Sequence, residues 1–195
     1  MYHVLADLPA VPETDIGFAI SADSANASMI FTLMKETISS VIEQYGQSRL
    51  RYSVIVFGST PTIKVSFSDL FANKDQLKTL VAAVPRSRGS NLAKTLQEAK
   101  NMFQGSAGVD TNKILVIMTD RKSDSGEKEL AKNVKELEDE GVTVLGVVFG
   151  DQSNQDELEK IVPNKQDVIK QGSGVESNAL AGKIMERALK GWIFF

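Results

Sequence analysis

Three clusters of oxygen-bearing side chains in this sequence could do chemistry. The first is "SADSANAS", residues 21–28, with the hydroxyls of Ser21, Ser24 and Ser28, the carboxylate of Asp23 and the amide of Asn26. The second is "PRSRGSN", in which Ser90 follows Gly89. The third is "TDRKSDSG", which opens with Asp120 and Arg121. Hard cations such as Mg²⁺ take oxygen ligands, typically one or two carboxylates completed by hydroxyls and water. Ser21, Asp23, Ser24, Ser90 and Asp120 would supply such a set. The same residue types also cap helices and stabilise turns at strand-to-helix junctions, so spacing leaves both roles open.

Other chemistries are poorly served. A nucleotide site needs a glycine-rich loop that lets the backbone approach phosphates. "SADSANAS" contains no glycine, and neither the dinucleotide fingerprint nor the phosphate-loop pattern occurs anywhere. Nucleophilic hydrolysis has no support either. There is no cysteine and no Gly-x-Ser-x-Gly elbow, and the only histidine is His3, far from the three clusters in sequence.

The clusters must be positioned by the elements before them. Asp15 to Ile20, "RYSVIVF" (51–57), "TIKVSF" (62–67), "KILVIMTD" (113–120), "VTVLGVVFG" (142–150) and "DVIKQ" (167–171) read as strands. Between them, 29–45, 74–84, 91–103, 126–141, 156–162 and 177–189 carry apolar residues at three- and four-residue spacing and read as helices. Gly46 is the expected stop of the first helix. The outer helix at 126–141 has one narrow apolar stripe, Leu130, Val134 and Leu137, and the last helix packs Leu180, Ile184, Met185 and Leu189. Strands alternating with helices predict an α/β fold: a doubly wound, mostly parallel sheet with helices on both faces. The strand 62–67 follows a short "GSTP" turn, so it is expected antiparallel and at an edge. The run 114–118 is the most apolar and is expected in the interior. Such sheets carry their sites beyond the C-terminal ends of the strands, where the three clusters should converge.

The chain has 195 residues, 42% of them hydrophobic, which suits a single domain with a sizeable core. Residues 1–13 read as a lead-in, 14–190 as the domain and 191–195 as a tail. A net charge of −3 gives no global case for nucleic acid, and no apolar run is long enough to span a membrane. Arg86, Arg88 and Arg121 read as separate solvated cations, with a small basic patch for an acidic protein or sulfated glycan as the alternative. Asn26-Ala27-Ser28 is a glycan acceptor pattern.

The order of elements and the three loops resemble a von Willebrand factor type A domain, the integrin inserted domain, from about Thr14 to Leu189. The family's first strand usually reads "DIVFLVDxSxS" and leads into a helix with Phe and Lys at set distances; "DIGFAISADSA" with Phe31 and Lys35 fits without a gap. Ser90 after Gly89 and Asp120 after an apolar strand match the second and third loops. The resemblance implies a Rossmann-like fold and a non-enzymatic protein-binding or adhesion module, extracellular, in a matrix or cell-surface protein. The expected partner is an extracellular protein, matrix or collagen-like. A self-assembling structural matrix domain and an intracellular scaffold module are the alternatives.

Many family members bind Mg²⁺ at a metal-ion-dependent adhesion site built from Asp-x-Ser-x-Ser, a Thr and an Asp. Here Ser21 stands at the first Asp, Asp23 at the first Ser, Ala25 at the second Ser, and Arg121 at the Gly that usually follows the third-loop Asp. The resemblance therefore implies a degenerate set, Ser21, Asp23, Ser90 and Asp120, holding no cofactor or only weakly bound Mg²⁺ or Ca²⁺. Arg121 is the candidate charge substitute: turned inward it would pair with Asp23 and Asp120, and turned outward it would leave those carboxylates to a cation or solvent.

Overall fold

The computed structural model describes residues 13–24, 26–106, 111–149, 152–172 and 176–190, with side chains of 152 and 153 excluded. His3, most of the lead-in, Ala25 and the tail lie outside the described residues.

The elements follow in the order β1 (Thr14–Ser21), α1 (Ala27–Tyr45), β2 (Leu50–Val56), β3 (Thr62–Val65), α2 (Lys74–Ala83), α3 (Leu92–Gln104), β4 (Asn112–Thr119), α4 (Glu127–Asp139), β5 (Val142–Val148), α5 (Gln152–Ile161), a 3₁₀ turn (Lys165–Asp167), β6 (Val168–Lys170) and α6 (Ser177–Ala188). The strand order is β3-β2-β1-β4-β5-β6, and every pairing is parallel except β2 with β3. As expected, β4 lies inside the sheet, between β1 and β5, and the antiparallel strand lies at an edge.

The pleat explains why β4 had to be so apolar. Ile114, Val116 and Met118 join the core beneath α1, α2 and α6, while Leu115 and Ile117 join the core beneath α3, α4 and α5. Each such side chain contributes about 1.5–3 kcal/mol when buried, so a polar residue on either face would be costly. The stripe Leu130, Val134 and Leu137 is buried, as are Leu180, Ile184, Met185 and Leu189. The α1 face buries Phe31, Met34, Ile38, Val41 and Ile42, and its end is closed at Gly46, whose N–H donates to the Ile42 carbonyl at 2.9 Å. Lys35 ties α1 to α2. Its Nζ donates to the carbonyls of Ala82 (2.7 Å) and Val84 (3.3 Å) at the end of α2, and lies 5.5 Å from the Phe31 ring centroid.

Most boundaries fall within one or two residues of expectation, and two of the differences have a visible cause. The edge strand stops at Val65 rather than Phe67. The Asp69 carboxylate accepts the Ser66 N–H at 2.8 Å and draws the chain into a turn, while Phe67 packs on Phe103 with ring centroids 5.3 Å apart. Helix α5 begins at Gln152, not Asp156. The side chain of Asn154, in its first turn, is buried and donates from Nδ2 to the Thr119 carbonyl at 2.7 Å.

Candidate functional site

The three loops meet at the C-terminal end of the sheet, and backbone amides do much of the joining. Asp120 is buried, and its two carboxylate oxygens accept the N–H groups of Asp23 (2.9 Å) and Ser24 (3.1 Å). The third-loop carboxylate thus fixes the path of the first loop. Ser21, also buried, donates its hydroxyl to the Gly89 carbonyl at 3.3 Å, and the Gly89 N–H donates to Asp23 Oδ2 at 3.1 Å. Gly89 can serve this way because its φ is +89°, a conformation that disfavours a side chain.

The second and third loops are joined as closely. Asp124 Oδ2 accepts the Ser90 N–H at 3.1 Å, and the Ser90 carbonyl accepts the Ser123 hydroxyl and the Asp124 N–H, both at 2.8 Å. The Ser123 and Ser125 hydroxyls accept the first amides of α3, from Leu92 and Ala93, both at 3.2 Å. Helix α3 is therefore capped partly from another loop.

Charge concentrates on Asp23. Arg121 turns inward, but its partners are Asp23 and Asp124 rather than Asp120: Nη1 lies 3.1 Å from Asp23 Oδ2 and Nη2 lies 2.7 Å from Asp124 Oδ1. The Asp120 oxygens are turned instead to the amides of Asp23 and Ser24. Arg86 also departs from the solvated reading. Its Nη1 donates to the Ala22 carbonyl at 3.2 Å and lies 3.8 Å from Asp23 Oδ1. Arg88 is exposed.

A hard divalent cation does not fit this donor set as it stands. Asp120 is committed to two amides, and Asp23 already faces one amide and two guanidinium groups. The Ser90 hydroxyl is the one atom that suits a ligand role, since it is buried with no hydrogen-bond partner.

A buried acid braces the third loop from behind. Glu157 on α5 is buried and its Oε2 accepts the Ser123 N–H at 2.8 Å, while Oε1 has no partner. Burial pushes its pKa above the ordinary 4.5, against the lowering effects of the Ser123 amide, Lys122 and Lys160. Because the folded state holds this proton more tightly than the unfolded state, the stability Glu157 lends is full below its ordinary pKa. It is lost as pH rises through the raised value. Melting curves of the wild type and Glu157→Gln across mildly acidic to neutral pH should show the wild type losing ground to the variant as pH rises. Parallel curves would mean that the acid titrates normally.

Comparison with known proteins decides the family. Residues 15–177 match the model of the von Willebrand factor type A domain. The chain belongs to that family. It is 25% identical to the mouse (Mus musculus) collagen alpha-4(VI) chain over 171 residues, covering 86% of this chain and 7% of the relative. It is also 25% identical to mouse integrin alpha-M over 186 residues, covering 90% and 16%. The chain thus spans only a small part of either relative. Among solved structures it resembles proximal thread matrix protein 1 from the mussel byssus, with a TM-score of 0.80 at 22% identity, covering 91% of this chain and 47% of that one. One structure of that byssus protein is described as having a zinc-occupied MIDAS motif.

Within this von Willebrand factor A domain, Ser21, Asp23, Ser90, Asp120 and Arg121 are all brought to one mouth. Asn26 stands beside it, exposed, at the start of α1. Two contributors escaped the sequence reading. Asp124 had a usable signal, its position three residues after Arg121 in a polar loop. Glu157 had none, because its burial depends on the packing of α5 behind the third loop. Arg86, read as a solvated cation, is drawn to Asp23.

Proposed function

We propose that this von Willebrand factor A domain is a non-enzymatic protein-binding module of an extracellular matrix or cell-surface protein, and that it works without a tightly held divalent cation. Arg121 carries the second part: its guanidinium joins Asp23 to Asp124 at the mouth of the three loops. Two opposite charges already flank Asp23, so an incoming Mg²⁺ would meet repulsion and a carboxylate that is already paired. The relatives support the first part, since they include a collagen chain, an integrin subunit and a byssus matrix protein. The partner class that follows is an extracellular protein, collagen-like among them. The arginines give little support to a sulfated glycan, because Asp23 and Asp124 take up the charge of Arg121, and Arg86 lies close to Asp23.

Binding of the domain to immobilised collagens, in Mg²⁺ and in EDTA, tests the reading. The expected affinities agree within about twofold. Binding that vanishes in EDTA overturns the cation-independent part, and absence of binding in both buffers removes collagen as the partner. The byssus matrix neighbour also favours a self-assembling structural role. Sedimentation of the isolated domain showing concentration-dependent association would establish that alternative.

A further inference from the structure

We infer that Asn26 carries an N-linked glycan that stands at the rim of the Asp23–Arg121 mouth. The inference rests on the extracellular reading above, because the modification requires passage through a secretory compartment.

Asn26-Ala27-Ser28 is the only Asn-x-Ser/Thr triplet among the nine asparagines of the chain. Its side chain is free in a way that its counterparts are not. Asn73, Asn91 and Asn164 also stand at helix starts, and each accepts a backbone N–H through its side chain, from Gln76, Lys94 and Gln166 respectively. Asn26 makes no such bond. Its backbone, at φ −102° and ψ 19°, is not in the extended conformation that aims a capping side chain back at the first turn. The start of α1 is closed by main-chain groups instead: the Ser24 carbonyl accepts from Ala27, and the Asn26 carbonyl accepts from Met29 and Ile30, all at 3.1 Å. A glycan on Asn26 would therefore break no capping bond. Both Asn26 and Ser28 are exposed.

A second observation points the same way. Met29 is 69% exposed, one of three large hydrophobic side chains left open among the described residues. It lies three positions after Asn26, in the first turn of α1. The first sugars on Asn26 would cover it. Asn26 is also three residues from Asp23, at most about 11 Å along a fully extended chain. A glycan there narrows access to the mouth.

The reaction needs a polyprenyl-pyrophosphate-linked oligosaccharide as donor. The Asn26 side-chain nitrogen forms a bond to the sugar's anomeric carbon, the bond from that carbon to the pyrophosphate oxygen breaks, and the amide loses one proton. No oxidation state changes.

The test is expression of the full chain behind a secretion leader in a eukaryotic host, with total and secreted pools both analysed by mass. The glycan is added before export, so retained protein counts as well. Release with an amidase that converts the glycosylated asparagine to aspartate should mark residue 26, and Asn26→Gln and Ser28→Ala should each abolish the added mass with no change in melting temperature. Chains that enter the pathway but remain bare at Asn26 overturn the inference and leave the binding reading intact. Glycosylated chains that bind no collagen, before or after sugar removal, leave the inference standing and count against the reading. Collagen binding that improves on sugar removal, or in Asn26→Gln, confirms that the glycan limits access; unchanged binding overturns its placement at the rim.

Discussion

Isothermal titration of the unmodified domain with Mg²⁺ should give no binding at micromolar concentrations, while the variant Ser21→Asp, Asp23→Ser, Ala25→Ser, Arg121→Gly should bind. The four changes act on different obstacles. Removing Arg121 takes away the positive charge 3.1 Å from Asp23 Oδ2. Ser21→Asp places a carboxylate at the end of β1, where only a hydroxyl bonded to the Gly89 carbonyl now stands. The two new serines supply neutral oxygens, and the unpartnered Ser90 hydroxyl becomes available as a further ligand. Any measurable Kd in the variant is a large change from no binding. Ligand linkage supplies an independent reading: Mg²⁺ well above that Kd should raise the melting temperature of the variant alone. Micromolar affinity in the unmodified chain would overturn the degenerate-site proposal. No gain in the variant would show that the first loop has been matched to the wrong frame.

The largest stability effect should come from a residue that touches no ligand. A Cβ on Gly58 would lie 2.2 Å from the Arg88 carbonyl oxygen and 2.4 Å from the Ser87 hydroxyl. That carbonyl is held in place, accepting the Ser59 N–H at 2.8 Å, while the Gly58 carbonyl accepts from Asn91 at 2.9 Å. Neither side of this contact can yield without breaking a main-chain bond. Gly58→Ala should therefore cost about 3 kcal/mol, at the upper end for overpacking, and lower the melting temperature by about 6–12 °C. Gly182→Ala is the control, because nothing lies within 4 Å of its added Cβ and it sits inside α6, so it should not lower stability. Similar melting of the two variants would mean that the loops at Gly58 and Arg88 part more easily than their hydrogen bonds indicate.

What could be read in advance was whatever depends on one element at a time. The run Ile114–Met118 announced an interior strand because both its faces are apolar, and Leu130, Val134 and Leu137 fixed one face of α4 through their spacing. Phe31 and Lys35 located α1 through the family frame. The convergence of Ser21, Asp23, Ser90 and Asp120 followed from sheet topology alone. Pairings inside the mouth did not follow. That Arg121 meets Asp124 while Asp120 faces the amides of another loop depends on how the loops fold together. Asn154 and Glu157 drew no notice because a buried polar side chain is recognisable only through partners distant in sequence. The early start of α5 was missed for the same reason.

The Arg121 bridge also changes what the surroundings can do to these loops. A metal ion held by oxygen ligands leaves when its bulk concentration falls. A guanidinium anchored to the backbone has a fixed local concentration and cannot be diluted away. Monovalent salt acts on it instead, because Arg121 and Asp23 remain partly open, with side chains 39% and 22% exposed, and mobile ions weaken contacts between charges that solvent can reach. On the proposed cation-free reading, the share of the mouth's stiffness that Arg121 supplies varies with ionic strength, where a metal-loaded relative would respond to the supply of divalent ions.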